Sequence, residues 1–222
     1  MNKHVLITGA SGMVGRSVLL ECIDDKRIDR ITLVLRNEIN LQHPKINQII
    51  LNDFTRFDEV KLKFGRPDAC FHCMGVSSVG LNENEFSKLT FDISKSLADV
   101  MFDLNPEMVI CYVSGTGTDS SEKGKTMWAR VKGKTENYLL KKGFSKAYMF
   151  RPGAIIPEKG IKSRTGWYNA LYVILRPFFP ILKQSNNITT STLLGKAMIN
   201  TLLNIDIKIY LENEDINELG KK

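Results

Sequence analysis

Residues 5–16, VLITGASGMVGR, constrain the fold of this chain more than any other stretch. An apolar run from Val5 to Ile7 meets glycines at positions 9, 12 and 15, and a segment of helical apolar periodicity follows. That is a strand, a tight turn and a helix. A strand that turns directly into a helix needs a residue free of Cβ sterics, and a pyrophosphate lying on such a turn needs close backbone approach. The start of the helix adds unpaired N–H groups and the positive end of a dipole. Spacing here is G-x-x-G-x-x-G rather than the G-x-G-x-x-G of the long-chain dinucleotide folds. The stretch reads as a nucleotide clamp formed by Gly9, Ser11, Gly12, Met13, Val14 and Gly15, with Arg16 entering the helix.

Further apolar runs recur at Ile31 to Leu35, Ile46 to Leu51, Ala69 to Cys73, Met108 to Val113 and Ala147 to Phe150. Between them lie helical patterns at about 13–24, 55–63, 83–104 and 126–142. Such alternation implies parallel strands joined by right-handed crossovers, a doubly wound α/β sheet. The 222 residues suffice for one such domain, with 152–190 as a small C-terminal lobe over the substrate. Ligands of these sheets bind outside the carboxyl ends of the strands, so the loops after each run are where function is sought.

After the second run, in RITLVLRNE, stands Arg36, where a site for NAD would carry an acidic residue for the ribose 2′-OH. A guanidinium there, helped by Arg16, suits a 2′-phosphate instead, so NADP is expected rather than NAD. Asp53, in LNDF, reads either as a partner for an adenine amino group or as a turn aspartate. Met74, Gly75 and Val76 follow the fourth run, and the glycine lets backbone pass close to a ribose.

The formal net charge of +7 is concentrated between residues 121 and 164, with twelve Lys or Arg against three Glu. That stretch reads as a solvated helix face or as an attractor of an anionic ligand; without interleaved aromatics it is not read as nucleic-acid binding. Cys70 and Cys73 form a C-x-x-C on a strand, where positions three apart face opposite ways, so they read as structural thiols. No ligand spacing for a metal is present. The N-terminus enters a strand at once with no signal-like run, and a cytoplasmic location is expected.

TGASGMVG at 8–15, HCMGVSS at 72–78, YVSGTGTDSS at 112–121, WARVKGKTE at 128–136 and FRPG at 150–153 together resemble the short-chain dehydrogenase/reductase superfamily. Within it the chain is most similar to the atypical, NADPH-binding, Tat-interacting-oxidoreductase-like branch, from residue 3 to about 200. The resemblance implies a Rossmann domain with cofactor over the first and fourth strands. It places Ser114 at the family's catalytic serine and Lys132 at its lysine, the latter also binding the nicotinamide ribose, with Pro152 and Gly153 beside the nicotinamide. At the position of the family's tyrosine stands Trp128. An indole donates a hydrogen bond but does not titrate usefully, so Trp128 cannot pass the proton that a lysine-activated phenol passes.

Residues 166–183 are almost continuously apolar, but Arg176, Pro177 and Pro180 interrupt them, so no transmembrane span is read. A helix over the substrate cleft or in the core is expected, with a membrane-surface or dimer patch as the alternatives. The sequence therefore leads to an NADP(H)-dependent oxidoreductase acting on a small apolar or anionic substrate, as monomer or homodimer. Its rival is a dinucleotide-binding regulator without turnover, and a third reading is epimerase or dehydratase chemistry with a recycled cofactor.

Overall fold

In the computed structural model, which describes residues 2–161, 187–203 and 207–222, seven parallel strands form one sheet in the order β3-β2-β1-β4-β5-β6-β9. They are β1 (Lys3–Thr8), β2 (Ile28–Leu35), β3 (Ile46–Ile50), β4 (Ala69–His72), β5 (Val109–Val113), β6 (Lys146–Arg151) and β9 (Tyr210–Glu212). Two short strands, β7 (Ala154–Ile156) and β8 (Ile188–Thr190), pair apart from it. The order reverses between β1 and β4, which places a crevice at their carboxyl ends. This is the doubly wound Rossmann arrangement expected from the alternating runs.

Alternate residues of each strand enter opposite cores, as period-2 side chains of a sheet covered on both faces must. Val5, Ile7 and Phe71 pack with α1 (Met13–Asp24), α5 (Ser191–Asn200) and α6 (Asn213–Lys221). Leu6, Cys70 and Ile110 pack on the other face with α3 (Ile93–Leu104) and α4 (Met127–Lys141). Cys70 thus belongs to one core while Cys73 packs against the other, and burial raises both thiol pKa values, so the C-x-x-C is two separate structural residues.

Two segments depart from the helical expectation. Residues 55–63 yield a 3-10 helix, Phe57–Lys63, whose Phe57 and Val60 are buried. The 83–104 segment is not one helix but α2 (Glu83–Ser87), a π-helical turn (Lys88–Asp92) and α3. The C-terminal segment forms a strand and a helix, β9 and α6, and β9 supplies the seventh strand beside β6. The apolar stretch 166–183, including Trp167, Tyr168, Tyr172, Phe178 and Phe179, lies outside the described residues, as does much of the expected lobe.

Two interior histidines make the fold acid-sensitive. His4 bonds Thr32 at 2.8 Å, and burial, with the nearby Arg30, lowers its pKa to about 4. Burial does the same to His72, also to about 4. The ordinary value is 6.5, so between pH 6.5 and 4 the unfolded chain binds more protons than the fold, and stability drops as pH falls. A histidine moved that far contributes roughly 3 kcal/mol across the window. Denaturant titrations at pH 7, 5.5 and 4.5 are expected to show a steady loss, and a flat profile would contradict the buried neutral imidazoles.

Candidate functional site

The clamp is built largely from backbone. Gly9, at the end of β1, has φ +76°, and a Cβ there would lie 2.7 Å from the Cys73 carbonyl carbon. A Cβ on Gly15 would lie 2.3 Å from the Gly9 carbonyl oxygen. Both glycines are required to bring β1, β4 and α1 together. Gly12 differs: with φ −88° it is the N-cap of α1, and its Cβ would meet only the Gly9 carbonyl oxygen, at 3.3 Å. That is a tight contact with backbone, so the turn also favours glycine there, less severely than at Gly9 and Gly15. No side chain caps α1, so its N-terminus faces the crevice with backbone donors and a positive dipole end.

Around this turn lies a cleft of about 420 Å³. Of the residues expected to hold a cofactor, Gly9, Ser11 and Gly12 line it from the turn, Arg36 from the end of β2, and Met74, Gly75 and Val76 from the loop after β4. The Arg36 guanidinium carbon sits 5.2 Å from the centroid of the Phe54 ring, a cation–π contact that holds it at the rim. Glu38, Phe54, Leu89 and Ile93 also line the cleft and were not anticipated. Asp53 takes the turn role: its carboxylate accepts the Thr55 N–H at 2.9 Å and hydroxyl at 2.7 Å, while its neighbour Phe54 faces the cleft. Met13, Val14 and Arg16 lie in the first turn of α1 without lining the cavity.

The residues expected to do chemistry gather separately, at the carboxyl ends of β5 and β6. Ser114 is buried, and its hydroxyl donates to Glu136 Oε1 at 2.5 Å, with the Phe150 carbonyl 3.2 Å away. Glu136 has no exposed surface. Its carboxylate receives the Arg151 guanidinium on both oxygens, at 3.0 Å from Nε and 2.5 Å from a terminal nitrogen. The Lys132 ammonium donates to the Ser114 carbonyl, and burial lowers its pKa against the opposing pull of Glu136. It also lies 5.9 Å from the centre of the Trp128 ring, which packs over Gly117. Pro152 accepts the Thr116 N–H at 3.0 Å, and the Gly153 N–H donates to Asn213 at 3.1 Å. A Cβ on Gly153 would lie 2.8 Å from the Asn213 amide nitrogen, so close packing against α6 explains that glycine.

Glu136 and Gly133 also belong to this cluster and were not named as site residues from the sequence, which read Arg151 only as the end of a strand. The signal was in view as the pairing of V-K-G-x-x-E with F-R-P-G: the glutamate of one motif binds the arginine of the other. Gly133 is glycine because its Cβ would fall 1.8 Å from the Asp119 carbonyl oxygen, where α4 runs against the β5–α4 loop. The basic segment is also largely engaged in the fold, Arg130 with Glu83, Lys142 with Asp99, and Lys134 over Phe91. Among the described residues no cluster of three His, Cys, Asp or Glu side chains is placed to hold a metal, and no helix is long and apolar enough to cross a membrane.

Residues 5–143 match the NAD dependent epimerase/dehydratase family. The chain belongs to that family. Over 235 aligned residues it is 27% identical to the protein HTATIP2 of Rattus norvegicus, covering 99% of this chain and 90% of that one. Its structure resembles the short-chain dehydrogenase/reductase YIR035C of Saccharomyces cerevisiae, with 18% identity, a TM-score of 0.67, and coverage of 99% and 98% of the two chains. It also resembles the Bordetella bronchiseptica enzyme WbmH in complex with NAD+, at 13% identity and a TM-score of 0.67 over 95% of this chain and 74% of that one. The short-chain resemblance read from the motifs is therefore borne out, and the fold is an NAD(P)-binding one of the epimerase/dehydratase type.

The Glu136–Arg151 pair gives a stability test. Removing one partner of a buried pair strands a charge, at a cost of about 3–5 kcal/mol. Glu136→Ala is expected to lose stability on that scale in urea unfolding, and Glu136→Ala with Arg151→Met to recover much of it. A single-variant loss under about 1 kcal/mol would show that the pair is not buried as described.

Proposed function

We propose that this protein is an NADP(H)-binding oxidoreductase of the short-chain type that acts on a small apolar or anionic molecule, with Trp128 in place of the usual tyrosine. The observation that carries the reading is one cleft lined by both the glycine turn at the start of α1 and the Arg36 guanidinium. Backbone N–H groups at the start of α1 suit a pyrophosphate, and Arg36 suits a 2′-phosphate through paired charged hydrogen bonds. Glu38 lines the same cleft and would favour a free ribose hydroxyl, so the ratio of the two dinucleotide affinities is the informative quantity.

The nicotinamide, when bound, supplies or accepts the hydride. Around it Lys132 would orient the ribose hydroxyls, with Pro152 and Gly153 on the nicotinamide side. Trp128 holds no titrating proton, and the single hydroxyl proton of Ser114 is engaged by Glu136. Lys132 is then the proton source in this group of three, with burial moving it toward the range where an ammonium can give up a proton. A second reading is favoured by the same engagement of Ser114: an NADPH-binding regulatory protein without turnover. Cytoplasmic location and a monomeric or homodimeric state belong to the same proposal.

Calorimetric titration with NADPH and NADH, repeated on Arg36→Ala, tests the cofactor assignment. The native protein is expected to prefer NADPH by about tenfold or more, and Arg36→Ala to lose most of that preference, since a charged hydrogen-bonded contact contributes about 1.5–3 kcal/mol. An undiminished preference in the variant would remove Arg36 from the site, and binding of neither dinucleotide would overturn the proposal. NADPH oxidation across a panel of aldehydes and ketones then separates enzyme from regulator: turnover lost in Lys132→Ala supports the first reading, and no turnover with any of them supports the second.

A further inference from the structure

Behind the cleft runs a chain of polar side chains that contact with a dinucleotide does not explain. Thr8 and His72 are partners across the β1–β4 ladder, and the Thr8 hydroxyl lies 2.7 Å from His72 Nδ1. On the far side of the ring Nε2 lies 2.8 Å from Ser94 Oγ, and the Ser94 hydroxyl donates to the Thr90 carbonyl at 2.6 Å. All four residues are buried, and the Tyr112 ring stacks on the imidazole at 5.3 Å.

The direction of each bond follows from counting protons. Ser94 has one hydroxyl proton, and it goes to Thr90, so Ser94 can only accept from the ring. His72 therefore carries its proton on Nε2 and accepts the Thr8 hydroxyl proton at Nδ1. Burial keeps the ring neutral, so the chain runs one way, from Thr8 through His72 and Ser94 to Thr90.

Each member is the immediate neighbour of a residue lining the cleft. Gly9 follows Thr8 and Cys73 follows His72, while Leu89 precedes Thr90 and Ile93 precedes Ser94. The first pair belongs to the strand ends below the glycine turn. The second belongs to the π-helical turn, Lys88–Asp92, and to the start of α3. A π turn is an uncommon backbone state, frequent where function needs a displaced wall. Here Ser94 bonds one of its carbonyls and accepts the His72 Nε2 proton, and that second bond ties the wall to the strands.

We infer that His72 is a positioning residue of the dinucleotide cleft, setting the spacing between the glycine turn and the wall that carries Leu89 and Ile93. The inference rests on the reading of this cleft as the NADP(H) site. His72 acts through its neighbours rather than by touching the ligand.

Four variants test it. His72→Phe keeps a planar ring and removes both nitrogens; Thr8→Val keeps shape and removes the donor; Thr8→Ser restores the hydroxyl; Ser94→Ala cuts the far link. In the ligand-free protein His72→Phe, Thr8→Val and Ser94→Ala are expected to speed amide hydrogen exchange at residues 88–94 about tenfold, with α1 unaffected. Their NADPH dissociation constants are expected to rise by about tenfold, one lost hydrogen bond's worth, and Thr8→Ser to stay near the native value. Variants that only melt earlier, with unchanged exchange at 88–94 and unchanged NADPH affinity, would overturn the inference. If the native protein binds neither dinucleotide, the cofactor reading fails instead; faster exchange at 88–94 would still support His72 as the tie to this wall, and unchanged exchange would overturn that too.

Discussion

The carboxylate of Glu136, wholly out of water, constrains the half of the molecule around β5, β6 and α4. A charge in that position is tolerable only with a full set of donors, and it has them in Arg151, Ser114 and Ser120. Those donors come from the end of β6, the end of β5 and the loop after β5, so satisfying one carboxylate brings three segments to α4. Arg151 extends the network, stacking 4.4 Å from the Tyr210 ring centre on β9. The seventh strand is thus tied to the same charge.

This arrangement has a chemical consequence. With its proton directed into Glu136, Ser114 contributes its backbone carbonyl to the site, where it receives the Lys132 ammonium. Lys132, Gly133 and Glu136 then read as one device on α4: the lysine faces the site, the glycine admits the Asp119 carbonyl, and the glutamate anchors β6. Trp128 stands outside that framework, because the indole packs over Gly117 and beside the ammonium without joining the carboxylate network. Framework and proton chemistry are separable here, which is how a binding protein and a reductase can share one scaffold.

Features set by short-range pattern were legible in the sequence. Alternating apolar runs foretold the parallel sheet, and the three-residue offset of Cys70 and Cys73 foretold their separate cores. The glycine turn placed the cleft. What escaped depends on contacts distant in the chain. Nothing local marks Glu136, which acquires its role only when the fold brings Arg151 to it, or His72, which does so only when Ser94 meets it from α3. Periodicity could not separate α, 3-10 and π geometry over 57–63 and 88–92, because the same apolar spacing serves all three within a turn or two. Asp53 was open to two roles, and its bonds to Thr55 are local turn chemistry.

The three glycines of the opening turn show how a packed structure sorts sequence identity by cause. At Gly9 and Gly15 a methyl group would collide with backbone, so the fold itself excludes other residues. At Gly12 the backbone has an ordinary φ, and a Cβ would stand 3.3 Å from the Gly9 carbonyl oxygen, a tight contact that the turn would have to relieve. A residue without a side chain then has a cost, since glycine at a helix start loses more backbone entropy on ordering than a serine or aspartate that would also cap the helix. The turn leaves both the cap and the side-chain volume unfilled at the point where α1 presents its free donors. An open helix start of this kind, built on backbone donors, is what NAD(P)-binding folds offer to a pyrophosphate.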